Sequence, residues 1–153
     1  MSTDTFAEKI SILLQENWDS GATGLETTDV LWSHDKFETL TSVEQVSQKA
    51  IISTYNPQNP VSVDHLSRET NLVKETVIID AILHTAPLGS TDQAIAIREK
   101  IRQLILQTVH ANWNMLPGAD QMVVEGEFVR GELPQLQREA FKVTVSSFEV
   151  IQQ

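Results

Sequence analysis

The feature that most constrains this chain's fold is one unbroken run, NLVKETVIIDAILHT at residues 71–85, in which apolar side chains alternate with others. Val73, Val77, Ile79, Ala81 and Leu83 fall on one side of an extended backbone, because successive side chains of a strand point to opposite faces. That side belongs in a core. A strand of this length needs partners along its edges and a layer of structure over its apolar face. The opposite side reads Lys74, Thr76, Ile78, Asp80, Ile82 and His84, so isoleucines stand among polar groups there too. A strand that is apolar on both faces calls for a second cover.

The elements around this run follow from their periodicity. Phe6, Ile10, Leu13, Leu14 and Trp18 recur at helical spacing, with Thr3 or Asp4 as N-cap and Gly21 beyond the end. From Asp19 to Gln48 the pattern weakens. Val30-Leu31-Trp32 reads as a short strand there, and Ser42 to Gln48 as a helical turn. The β-formers of Lys49 to Tyr55 predict a strand that ends at Asn56-Pro57. Residues 56–70, NPQNPVSVDHLSRET, are mostly polar and hold two prolines, which predicts a long loop projecting from the body between two strands.

Beyond the long strand, Pro87 and Gly89 stop the pattern, and Ser90 with Gln93 forms a capping signal for a helix to about residue 110. Ala94, Ile97, Ile101, Leu104, Ile105 and Thr108 make its predicted buried stripe, with Arg98, Glu99, Lys100 and Arg102 on the surface. After Pro117-Gly118 come two β-rich runs, Gln121 to Arg130 and Arg138 to Val150, joined by GELPQLQ. In the last run Phe141, Val143 and Val145 alternate with Lys142, Thr144 and Ser146, as expected of a hairpin with one wet face. The expected fold is α+β: a mainly antiparallel sheet packed with an N-terminal helix and one long helix, in a single domain over residues 1–153.

Charge and residue content narrow the chemistry. The 11 Lys and Arg against 21 Asp and Glu give a net charge of -10, which repels phosphate backbones and anionic lipid surfaces. With no cysteine in the chain, disulfides, thiolate nucleophiles and Cys-ligated metals are excluded. The N-terminal MSTDTFAEKI lacks the pattern of a secretion signal and no run spans a bilayer, so the expected compartment is the cytoplasm.

The four histidines, at 34, 65, 84 and 110, show no metal-ligand spacing, and no cofactor or metal site is expected. Ser62, Asp64, His65 and Ser67 offer hydroxyl, carboxylate and imidazole groups without a glycine-rich elbow, so turn chemistry is the better reading. No phosphate-binding glycine loop is present. Glu125 and Glu127 share a strand face and read as solvated groups or partners for Arg130 and Arg138. Trp18, Trp32 and Trp113 suit either an interface or the core. Nothing here points to an enzyme.

The opening helix FAEKISILLQENW, the segment ETVIIDAILHTAPLGSTDQAIAIREKIRQLIL, and the closing pair VVEGEFVRGE and REAFKVTVSSFEV together resemble the tail terminator, or tail completion, proteins of long-tailed phages and archaeal viruses. The resemblance covers most of the chain except residues 19–48. It implies a ring, usually a hexamer of this chain, that caps the last ring of the tail tube and joins it to the head connector. Its setting would be the virion neck, after assembly in the host cytoplasm, without a membrane and with DNA only as cargo through the lumen.

On that resemblance Ile78 and Ile82 would meet a neighbouring subunit, and the 56–70 loop, with Asp64, His65 and Arg68, would reach a neighbour or the tube. Cover by a helix of the same chain and an idle loop are the competing readings. Another head–tail joining or minor tail protein, or a small ligand-binding domain or enzyme whose polar residues converge only in three dimensions, are the alternatives to the terminator.

Overall fold

A computed structural model describes residues 5–34, 49–125, 129–133 and 136–150. The elements run α1 (Phe6–Glu16), a one-turn α2 (Ser20–Thr23), a 3-10 turn (Thr27–Asp29), β1 (Val30–Ser33), β2 (Ala50–Tyr55), β3 (Val61–His65) and β4 (Thr70–His84). They continue with a one-turn α3 (Thr85–Leu88), α4 (Thr91–Ala111), β5 (Gln121–Val124), β6 (Val129–Leu133) and β7 (Leu136–Val150). The fold is α+β, as the periodicity predicts. The helical turn expected at Ser42 to Gln48 lies outside the described residues.

The long alternating run became the spine of the sheet. β4 and β7 pair antiparallel through fifteen positions, from Thr70 opposite Val150 to His84 opposite Leu136. This makes a ribbon roughly 50 Å long. Two short strands lie end to end along each of its edges. On the β4 side, β2 pairs with Ile78 to Leu83 and β3 with Asn71 to Glu75. On the β7 side, β6 pairs with residues 136–140 and β5 with residues 143–146. β1 extends the sheet beyond β2, in the one parallel pairing among the described residues.

The loop expected over residues 56–70 is therefore half strand. Asn59 takes a left-handed backbone (φ 53°), which asparagine tolerates, and Pro60 leads directly into β3. Asn56 pins the passage from β2 to β3 by donating from Nδ2 to Thr76 O at 2.9 Å and Glu75 Oε2 at 3.2 Å. The reversal between β3 and β4 is tight: Leu66 N–H donates to Thr70 O at 3.0 Å, and Ser67 Oγ accepts from Thr70 N–H at 3.1 Å.

Two helices cover one face of the ribbon. Thr5, not Thr3 or Asp4, caps α1, its hydroxyl accepting from Glu8 N–H at 3.2 Å, the third residue along. Ser90 caps α4 in the same way through Gln93 N–H at 3.2 Å, as expected. Ile10 and Leu14 of α1, with Ile101 and Ile105 of α4, pack on Val77, Ile79, Ala81, Leu83, Phe141, Val143 and Val145. Val73 belongs to this face by alternation but is only partly buried, because β4 has by then run out past the main core.

The same strand face is not apolar throughout. Opposite Leu83 and Ala81, β7 carries Gln137 and Glu139, both buried, and α4 answers with Arg98, only 2% exposed. Arg98 was expected on the surface; the helix instead turns it inward, where its guanidinium donates to Gln137 Oε1 at 2.8 Å. Its Nε lies 3.9 Å from Glu139 Oε2, and Arg102 Nε lies 3.1 Å from the other carboxylate oxygen. A charge this deeply buried is tolerable only when paired, and the pairing ties the first half of α4 to β7.

Candidate interaction surface

The two halves of the ribbon differ in what covers them. In the half around Val77 to Leu83 both faces are buried. The helices cover one, and on the other Ile51, Ser53, Asp80 and Ile82 are fully buried in the folded chain. Arg138 grips Asp80 on that second face with three short contacts, from Nε at 2.9 and 3.1 Å and from Nη2 at 2.6 Å. This corrects the expected pairing of Arg138 with Glu125 or Glu127. Glu125 instead accepts from Thr144 Oγ1 at 3.0 Å, and Glu127 lies outside the described residues.

The other half is an arm formed by β3, residues 70–75 of β4 and the end of β7, three-stranded over residues 147–150 of β7, where β5 no longer pairs. Every residue of β3 is exposed. Val61 (51%), Val63 (48%) and Leu66 (55%) on the β3 side, with Phe148 (58%) and Val150 (70%) at the end of β7, keep much of their surface in water. By alternation and register Val61, Val63 and Val73 share one face, while Leu72 and Phe148 are cross-strand neighbours on the other. A small domain seldom leaves clustered apolar groups on both faces of a protruding element without a use for them.

Of the five residues expected at an interface, three lie on this arm. Asp64 faces Lys74 at 4.0 Å, a weak solvent-exposed pair. His65 Nδ1 lies 2.6 Å from Asn71 Oδ1 across the strands. Arg68 stands exposed in the turn after β3. Ile78 is half-buried nearer the body, opposite Tyr55 and Lys142. Ile82 is fully buried between Ile51 and Arg138 in register, so the chain itself covers it and it has no surface to offer a neighbour.

The arm's own apolar residues were missed in the sequence. VSVDH at 61–65 carries a short alternation of two valines, the signal from which β3 was legible, but the flanking prolines outweighed it. Phe148 and Val150 continue the face of Lys142, Thr144 and Ser146, which the alternation reads as the wet one, so two large apolar groups at its end passed as part of a solvated strand face.

A second apolar surface lies on the body. Ile12, Leu13, Met115 and Leu116 line a cleft of about 530 Å³ between α1 and the segment after α4, with Lys9 and Glu16 at its sides. Lys9 is already engaged, donating from Nζ to Pro117 O at 2.9 Å. Of the three tryptophans, Trp18 and Trp32 pack edge to face with ring centroids 5.4 Å apart against the core, while Trp113 is 49% exposed. Ser62, Asp64, His65 and Ser67 do not enclose a cavity: the first three are exposed residues of β3, and Ser67 is used in the turn. Among the described residues no cluster of His, Asp and Glu has the geometry to hold a metal ion. No helix among them is long and apolar enough to cross a membrane.

In comparison with known proteins, the chain matches no protein-family model and no curated protein.

Proposed function

We propose that this chain is a structural assembly protein whose work is contact with other protein chains, and that its particular form is a viral tail terminator. The observation that carries the reading is the arm, which sets exposed Val61, Val63, Leu66, Phe148 and Val150 on a protruding sheet. Such a surface is suited to burial against another chain. The cleft beside α1 supplies a second, unlike apolar surface on the body. Two different surfaces on one chain allow heterologous contacts, and these close into a ring when the rotation between neighbours permits. A ring seated on the tail tube hides the face that recruits the next tube subunit and presents a new one to the head connector.

The test is electron microscopy and native mass spectrometry of the purified chain, alone and with tube ends. Rings on their own or capping the tubes are expected. A chain that stays monomeric in the presence of tube ends sinks the proposal.

A further inference from the structure

We infer that β3 is a pairing edge for a second copy of this chain, joined antiparallel about Val63 so that two arms merge into one continuous sheet. The backbone shows which groups are offered. Pro60 O accepts from Thr76 N–H at 2.8 Å and Leu66 N–H donates to Thr70 O at 3.0 Å, so the hydrogen-bonded positions of β3 are the even ones. Val61, Val63 and His65 then turn their N–H and C=O groups away from β4, and among the described residues no backbone partner meets them.

Natural sheets blunt such an edge with lysine, a bulge, a proline inside the strand or a covering segment. Among the described residues no lysine, bulge, internal proline or covering segment blunts β3, whose five residues carry one charge, Asp64; Pro60 stands just before it. The opposite side of the sheet is treated differently. There Met122 N–H on β5 is taken by Trp113 O at 2.7 Å, from the segment that follows α4.

The occupant follows from the sequence of the edge. Laid antiparallel on itself about Val63, the strand sets Val63 against Val63, Val61 against His65 and Ser62 against Asp64. The three outward residues of each copy meet as hydrogen-bonded pairs, and the serine hydroxyl can donate to the carboxylate opposite. No like charges oppose one another, the arrangement that penalises a wrong register. Strand direction also clears the bodies. β3 runs from the body toward the tip of the arm, so an antiparallel partner places its own body beyond that tip. The joined centre is a six-stranded sheet in the order β7, β4, β3 and then the partner's strands in reverse. A pairing of this kind is isologous and joins copies two at a time, so it stands independently of the ring, which needs an unlike contact.

The chain contains no cysteine, so single cysteines report the register without background. Val63→Cys places two thiols on facing residues about 5.5 Å apart at Cα, within disulfide reach, and is expected to form a covalent dimer under mild oxidation. Val61→Cys and His65→Cys each place their own copies roughly 13 Å apart and are expected to stay uncrosslinked. Val63→Lys, which leaves the pairing with β4 intact, is expected to weaken dimerisation at least about tenfold in analytical ultracentrifugation, with unchanged circular dichroism. Equal cross-linking at all three positions would mean random collision and overturn the inference. So would loss of association in Val63→Lys without a Val63→Cys dimer, which would assign the edge to a different strand and leave the ring reading standing.

Discussion

The two halves of the β4–β7 ribbon share one ladder and one backbone geometry, yet they are different materials. Around Val77 to Leu83 the strands are covered on both faces, while from Thr70 to Glu75 they carry valine, leucine and phenylalanine into water. Pairing of strands alone therefore does not make a core; the layer above it does. The covered half holds the fold together. The bare half is held by its ladder and the tight turn at Ser67, and it keeps its apolar surface in water.

Substitutions in the two halves should separate sharply. Ile82→Asp sets a carboxylate in a fully buried site two residues from Asp80 on the same strand face, and the expected cost exceeds about 4 kcal/mol, enough to abolish a cooperative urea transition. Ile78→Asp, at a half-buried site, should leave a folded chain by circular dichroism. If both variants fold equally well, the second face of the covered half is not part of the core.

Phe141→Ala removes a ring that is 1% exposed and should destabilise the chain by about 3–5 kcal/mol in urea melts. Arg138→Ala removes the bidentate partner of the buried Asp80 carboxylate, with an expected loss of about 3 kcal/mol. Phe148→Ala on the arm should change stability by less than about 0.5 kcal/mol. Its effect should fall on association, measured by native mass spectrometry. A melting temperature that falls as far for Phe148→Ala as for Phe141→Ala would erase the distinction between the halves. The finest test is amide exchange: N–H groups of residues 71–75 should exchange faster than those of 77–83 in the isolated chain, and slow down on assembly.

Much of the architecture was legible because period and caps are local. The alternation of Val77, Ile79, Ala81 and Leu83 fixed the spine, and Ser90 fixed the start of α4. β3 was read as loop because Pro57 and Pro60 dominate a local reading, whereas the strand exists through its pairing with Asn71 to Glu75. Arg98 was placed outside because charge predicts exposure, and only Gln137 and Glu139 arriving from 39 and 41 residues away made its burial possible. Of the expected contact residues, Asp64, His65 and Arg68 do lie together on the arm, while Ile82 does not reach the surface.

By itself, the sequence determined the class of fold, the long amphipathic strand and the two helices that cover it, since these depend on the spacing of side chains along one segment. Only the tertiary structure decided where the cover stops. A valine in β4 is core at position 77 and part of an open arm at 73, although both occupy the same face of the same strand. Alternation says which way a side chain points; burial depends on what lies opposite, and for this chain the helices lie over only one end of the ribbon.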